Sequence, residues 1–407
     1  MYIFKAAVVG AGTMGGEIAQ VITYSGLPVV MKDIDQAMLD KGMENIRAIY
    51  QRRVDKGKMS EGDMQSKLDL VTPTLTYDEF GDVDIVIEAV PEKMGVKRAV
   101  FKELEVACPE QTIFASNTSA LSISEMGAAT SKPHKMIGMH FFNPAHVMKL
   151  VEVIPGLDTS QETVDDVVMF TESLRKIPVV VQECPGFLVN RLLMPYLSEA
   201  TKALEEGAAT ATEIDQAVVQ WGMPMGPFTL MDMLGLDVCA HVGEYLYTEY
   251  GERMSPAPLF VKLLEAGRLG EKSGAGFYDH PGGESEVVKG MIKELQESGA
   301  VPTGTKFSVE RLMYPVINEA ALCVQENIAS ITDIDMAMVA GTGMTYGGER
   351  IGPLAIADKI GLDVVVETLE ALGKELGPRF RPGRPLKLRV RAGHLGVKTG
   401  KGFHEYA

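Results

Sequence analysis

The residues from Phe4 to Val9 are apolar apart from Lys5, stop at the glycines of GAGTMG, and resume at helical spacing from about Met14. A short apolar run bounded by glycine predicts a buried strand, and the resumption predicts a helix. The alternation continues. Pro28–Met31, Asp82–Val90, Thr112–Ser116, Met136–Phe142, Leu150–Ile154 and Pro178–Val181 read as further strands. Between them, Leu39, Met43, Ile46, Ile49, Tyr50 and Val54 mark one buried face of a helix over 38–54, and another helix is predicted over 94–105. Strands that alternate with helices predict a parallel sheet wound on both faces. After Cys184 the period changes: Pro185 and Gly186 break the pattern, and Phe187 to Glu206 forms one long apolar-periodic helix.

The helical part repeats. RLLMPYLSEA from Arg191 recurs as RLMYPVINEA from Arg311, and EIDQAV near Asp215 as DIDMAM near Asp335, both at an offset of 120 (311 − 191). LGLDV near Gly235 returns as IGLDV near Gly361, and GFYDH as GFHEY, at an offset of 126 (361 − 235), so residues are inserted around TYGGER in the second copy. A duplicated module is the reading. The expected organisation is an α/β domain over 1–183, a first all-α copy over 184–283 and a second over 300–407. Asn190 aligns with Glu310, and PGFLVN has no counterpart in the second copy, so only the first is expected to complete a site.

At 407 residues the chain has room for two or three domains, and 46% hydrophobic with 23% charged residues is ordinary for a globular protein. No apolar run reaches the roughly 18 residues of a membrane span. The start shows no small-residue cleavage site of the secretory kind, and Cys108, Cys184, Cys239 and Cys323 are scattered, so a cytoplasmic location with free thiols is expected. The net charge of −16 argues against nucleic acid and anionic lipid as partners. Lys41 to Lys58 is the local exception, with Lys41, Arg47, Arg52, Arg53, Lys56 and Lys58 against Glu44 and Asp55. That face is either a solvated surface or a dock for a phosphorylated substrate.

Chemistry gathers at the strand ends. Gly10, Gly12 and Gly15 form GxGxxG between a strand and a helix, the setting in which glycines allow a tight turn, close approach to a pyrophosphate and close helix packing. Asp33 ends the second strand, where a carboxylate accepts from a ribose 2′-hydroxyl and repels a 2′-phosphate, favouring NAD. Glu92 and Lys97 follow the strand over 82–90, and SNTS, Ser116 to Ser119, leaves the next strand at the same edge. His140 ends one apolar run and Glu152 lies in the next. Two strands joined by FFNPAHVM would set that pair side by side, an imidazole able to move a proton near neutral pH beside a carboxylate that fixes its tautomer. His134, His140 and His146 lack acidic or thiol companions for a zinc site, and GEKSGAG and GVKTGKG lack the phosphate-loop spacing.

In the order GAGTMG, Asp33, EAVPEK, SNTS, HFFNP and PGFLVNR, the chain resembles the 3-hydroxyacyl-CoA dehydrogenases of fatty-acid β-oxidation, and the resemblance runs to the carboxyl terminus. It implies a Rossmann-type domain followed by tandem helical domains, as in the dehydrogenase half of the multifunctional fatty-acid oxidation proteins. It implies His140 as general base with Glu152 as partner, and Ser119 and Asn190 on the reacting oxygen. Gly10, Gly12, Met14, Gly15, Asp33, Val90, Glu92, Lys97, Ser119 and Asn143 would serve NAD. The basic helix looks like the family's coenzyme A arm, with Arg52, Arg53 and Lys56 as substrate contacts. The implied partners are an acyl-CoA substrate and a separate enoyl-CoA hydratase or thiolase. Since the helical domain of single-copy relatives forms a dimer interface, the second copy would stand in for a partner subunit, giving a monomer or weak dimer. Three alternatives stay open: a short-chain 3-hydroxybutyryl-CoA enzyme working reductively, a β-hydroxyacid or sugar-acid dehydrogenase of similar architecture with a lysine base, and a non-catalytic NAD-binding or structural protein. The second should show KxxxN, yet Gly186 stands four before Asn190.

Overall fold

A computed structural model describes residues 2–406 and divides them into two compact units, one ending at Phe187 and one beginning at Leu188. The first unit runs β1 (Ala6–Val9), α1 (Thr13–Tyr24), β2 (Val29–Lys32), α2 (Gln36–Asp55), α3 (Glu61–Leu68), β3 (Val71–Thr74), β4 (Ile85–Glu88), α4 (Met94–Ala107), β5 (Ile113–Ser116), α5 (Ile123–Ala128), β6 (Met136–Phe141), β7 (Leu150–Pro155), α6 (Gln161–Ser173) and β8 (Ile177–Val180). Its eight-stranded sheet has the order β3-β2-β1-β4-β5-β6-β7-β8, and the register pairs are parallel except between β6 and β7. From β1 the chain steps to β2 on one side and later to β4 on the other, which opens a crevice at the carboxyl ends of β1 and β4. Every residue of β1, β2, β4 and β5 is buried, the pattern of strands covered on both faces. Val8, Ile18, Ile22, Met31, Ile46, Ile85, Ile137 and Val153 belong to one continuous core.

The structure adds elements that the apolar pattern did not reveal. β3 is an edge strand containing Pro73, and proline is tolerated there because no ladder hydrogen bond is needed on the outer side. α3 begins in a capping box in which Ser60 and Asp63 satisfy each other's backbone N–H groups. Both devices act locally and leave only a faint hydrophobic signal.

The second unit is helical: α7 (Val189–Glu205), α8 (Ala211–Trp221), α9 (Pro227–Leu234), α10 (Leu236–Tyr250), α11 (Pro258–Glu265), α12 (Glu286–Glu297), α13 (Val309–Gln325), α14 (Ile331–Thr342), α15 (Pro353–Ile360), α16 (Leu362–Leu376) and α17 (Arg384–Arg391). α7 to α11 recur as α13 to α17. The same polar devices recur with them: Asp215 accepts from the N–H groups of Phe228 and Thr229 at the start of α9, and Asp335 from those of Leu354 and Ala355 at the start of α15. α7 packs on α13 through reciprocal ion pairs. Arg191 donates to Glu319 at 2.8 Å and Glu326 at 2.7 Å, while Arg311 donates to Glu199 at 3.1 Å and lies 2.9 Å from Glu206. Both arginines are fully buried. Among the described residues no helix is long and apolar enough to cross a membrane.

Candidate active site

Three glycines shape the loop between β1 and α1, each for a different reason. Gly10 has φ +102°, and a Cβ there would lie 2.6 Å from the Ala89 carbonyl oxygen; at Gly15 it would lie 1.7 Å from that of Gly10. Gly12 is different. A Cβ there would meet nothing closer than Met38 Cε at 3.9 Å, so its lack of a side chain leaves open space at the uncapped start of α1. Free first-turn N–H groups and that space suit a pyrophosphate. Asp33 stands beside them: one carboxylate oxygen accepts from the Ala11 N–H at 2.7 Å and the other from Ile34 at 2.7 Å. Lys32, whose charge would favour a 2′-phosphate, is buried with its ammonium 4.3 Å from the centre of the Tyr77 ring. Met14 packs against the core at the same helix start.

The ends of β4 and β5 are joined by a buried charge cluster that the sequence reading did not anticipate. Glu88, fully buried at the end of β4, accepts from Lys97 at 2.8 and 3.0 Å, from the Ser116 hydroxyl at 2.6 Å and from the Val90 N–H at 2.7 Å. Burial pushes its carboxyl upward against the pull of Lys97 and Ser116. Lys97 is 1% exposed and also lies 3.1 Å from Glu92, so its ammonium acts on the Val90–Glu92 loop from inside. Glu92 binds the Thr118 hydroxyl and accepts from the Ser119 N–H at 2.9 Å. Burial raises the Glu92 carboxyl, but Lys97, Thr118 and Ser119 outweigh it and hold it below the ordinary range. The signal in the sequence was a single acid inside an apolar strand, nine residues before a lysine on the next helix.

His140 and Glu152 face each other in the antiparallel pairing of β6 with β7. Their side chains meet, His140 Nδ1 lying 2.7 Å from a Glu152 oxygen, with the carboxylate fully buried and the imidazole 5% exposed. A carboxylate on Nδ1 selects the tautomer with its hydrogen there and leaves Nε2 basic. The rings of Phe142 and Phe187 pack on the imidazole, with centroids at 4.6 and 5.8 Å. Asn117, also unanticipated, accepts from the Phe141 N–H at 2.8 Å and ties SNTS to the end of β6. With Ser116, Asn117 and Thr118 engaged inside the fold, Ser119 is the half-buried hydroxyl of this loop that no described residue binds. Asn143 is exposed in the loop after β6, which Glu17 holds through the Ala145 N–H at 2.5 Å and Lys176 through the Ala145 and Met148 carbonyls at 2.5 and 2.7 Å. Asn190 lies in the first turn of α7, half-buried, in the second unit.

Arg52, Arg53 and Lys56, at the end of α2, line a cavity of about 620 Å³ together with Lys149 and Lys176. That volume is within the range of small-molecule sites.

Comparison with known proteins gives the family. Residues 5–184 match the family model described as 3-hydroxyacyl-CoA dehydrogenase, NAD binding domain, and residues 186–280 and 307–406 each match its C-terminal domain. The fatty acid oxidation complex subunit alpha of Psychrobacter arcticus is 40% identical over 98% of this chain and 56% of its own length, and that of Acinetobacter baylyi is 39% identical over 88% and 51%. This chain therefore spans about half the length of these curated relatives. Among solved structures, 3-hydroxybutyryl-CoA dehydrogenase from Escherichia coli is 30% identical, covers 96% of this chain and 99% of that one, and superposes with a TM-score of 0.87. (S)-3-hydroxybutyryl-CoA dehydrogenase from Ralstonia eutropha is 42% identical over 68% of this chain and 99% of its own, with a TM-score of 0.66.

Proposed function

Since this chain belongs to the 3-hydroxyacyl-CoA dehydrogenase family, we propose that it oxidises (S)-3-hydroxyacyl-CoA to 3-ketoacyl-CoA with NAD, in fatty-acid oxidation. The observation that carries this reading is the 2.7 Å contact between His140 Nδ1 and the buried Glu152. His140 Nε2 takes the proton of the substrate hydroxyl, and Glu152 stabilises the imidazolium that results. NAD supplies the hydride acceptor for the hydrogen on carbon 3. Ser119 holds the oxygen as it becomes a carbonyl, a task for a donor fixed in advance by its neighbours; Glu92 fixes its backbone. Asn190 is assigned to the same oxygen on the family spacing of PGFLVNR. Gly10, Gly12, Met14, Gly15, Asp33, Val90, Glu92, Ser119 and Asn143 are assigned to the cofactor, with Lys97 ordering Val90 and Glu92 by its buried hydrogen bonds. Arg52, Arg53 and Lys56 are assigned to the phosphates of coenzyme A, which the cavity they line supports.

NADH formation from (S)-3-hydroxyacyl-CoA of short, medium and long acyl chains, run beside NADP, tests this reading; inactivity on every chain length overturns it. Likeness to 3-hydroxybutyryl-CoA dehydrogenases favours a second reading, turnover of short acyl chains. The chain-length profile separates the two. Because the curated relatives are named as complex subunits, association with a separate hydratase or thiolase belongs to the same proposal, and co-elution of purified partners tests it.

The cofactor assignment has its own check. Replacing Asp33 with serine removes a charged acceptor worth about 1.5 kcal/mol or more, which raises KM for NAD roughly tenfold and narrows the preference over NADP. An unchanged ratio of kcat/KM for the two cofactors would remove Asp33 from that role.

A further inference from the structure

The basic cavity of the first unit contains a strained residue that the family assignment does not use. Arg175 sits just past the end of α6 with φ +59°, a left-handed conformation usually taken there by glycine. An arginine in that position strains the backbone, so its side chain has to offset the loss. Its guanidinium lies 5.7 Å from the centre of the Tyr24 ring, and that of Arg53 lies 4.7 Å from the same ring and donates to the Tyr24 hydroxyl at 2.8 Å. Two guanidinium groups thus share one aromatic ring at the cavity wall.

Their positive field dominates the wall, although Glu17 lies behind it, 3.5 Å from His146. No carboxylate lines the cavity among the described residues, whereas Lys58, Lys149 and Lys176 add to its charge. Burial, followed by the neighbouring Lys149, brings the Lys176 ammonium down to about 8. Lys176 itself is occupied with the Ala145 and Met148 carbonyls, and Arg53 Nε is buried without a partner among the described residues. Arg175 is exposed, so its fork of donors is available to a ligand.

We propose that Arg175 is a specificity residue of this cavity, forming with Arg53 a two-guanidinium clamp for a phosphate monoester. It selects the 3′-phosphorylated nucleotide end of coenzyme A over dephosphorylated and nucleotide-free thioesters. A monoester dianion answers both guanidinium charges and offers each of them paired oxygens. This inference rests on the coenzyme A reading above but is tested apart from turnover.

The experiment compares the full chain with its Arg175→Gly variant, which removes the side chain and relieves the strain together. Calorimetric titration with adenosine 3′,5′-bisphosphate should show affinity falling about tenfold in the variant, with binding of dephospho-coenzyme A, which carries no phosphate monoester, unchanged. The thermal midpoint should stay level or rise, because glycine accepts positive φ. With acetoacetyl-CoA as substrate, KM should rise and kcat should hold, and the same ester of pantetheine should show neither change. Equal bisphosphate affinity in the two proteins, or a parallel loss of dephospho-coenzyme A binding, overturns the clamp even if the chain turns over CoA thioesters. Conversely, Arg175-dependent bisphosphate binding in a chain inactive on every thioester overturns the proposed reaction and leaves the phosphate clamp standing.

Discussion

Glutamine at position 140 is expected to lower turnover by at least about 100-fold while leaving NAD binding intact. The amide has nearly the reach of imidazole and keeps contact with Phe142 and Phe187, but it has no basic nitrogen with which to take the hydroxyl proton. The loss therefore falls on kcat. Glutamine also leaves Glu152 facing a neutral neighbour on a fully buried site, so part of any change could come from stability. Thermal unfolding and fluorescence titration with NADH separate the two contributions. A Glu152→Gln variant should lose less and should shift the pH profile, since the imidazole remains while its orienting carboxylate is gone. Near-normal kcat in His140→Gln would sink the assignment of His140 as the base.

The largest effect on stability is expected in the helical unit. Arg311→Met leaves Glu199 and Glu206 buried without their shared guanidinium, and breaking one side of a buried ion pair typically costs about 3–5 kcal/mol. Arg191→Met is expected to do the same to Glu319 but not to the exposed Glu326, and Arg253, 3.3 Å from Glu319, softens the effect, as Arg379 does beside Glu199. Denaturant unfolding, with hydrogen exchange of α7 and α13 as a local readout, measures it. A change below about 1 kcal/mol would mean that these pairs are solvated and contribute as surface pairs do.

Where the sequence was legible, the signal was short in range or repeated. β1, the glycine loop and α1 lie within one stretch, and the turn that joins β6 to β7 fixes a pairing only twelve residues long, so the meeting of His140 with Glu152 could be read from spacing. The helical copies declared themselves through Arg191 and Arg311. What stayed hidden was polar and distant. Glu17 holds the Ala145 N–H across 128 residues, and Asn117 holds that of Phe141 across 24; nothing near either side chain names its partner. Glu88 was visible as a misplaced charge, but its burial could be read only once α4 had placed Lys97 over β4. Pro73 concealed β3 because its tolerance depends on the strand lying at the sheet edge, a property of topology.

The reciprocal arginine and glutamate pairs between α7 and α13 have a consequence for dilution. Between separate subunits, such an interface would form in proportion to protein concentration, and each substitution would strike it twice. Here both sides belong to one chain, joined through α8 to α12, so the encounter is intramolecular whatever the amount of protein in solution. Dilution cannot separate them. Each side can also change alone, so one copy is free to drift in its chemistry while the other keeps it.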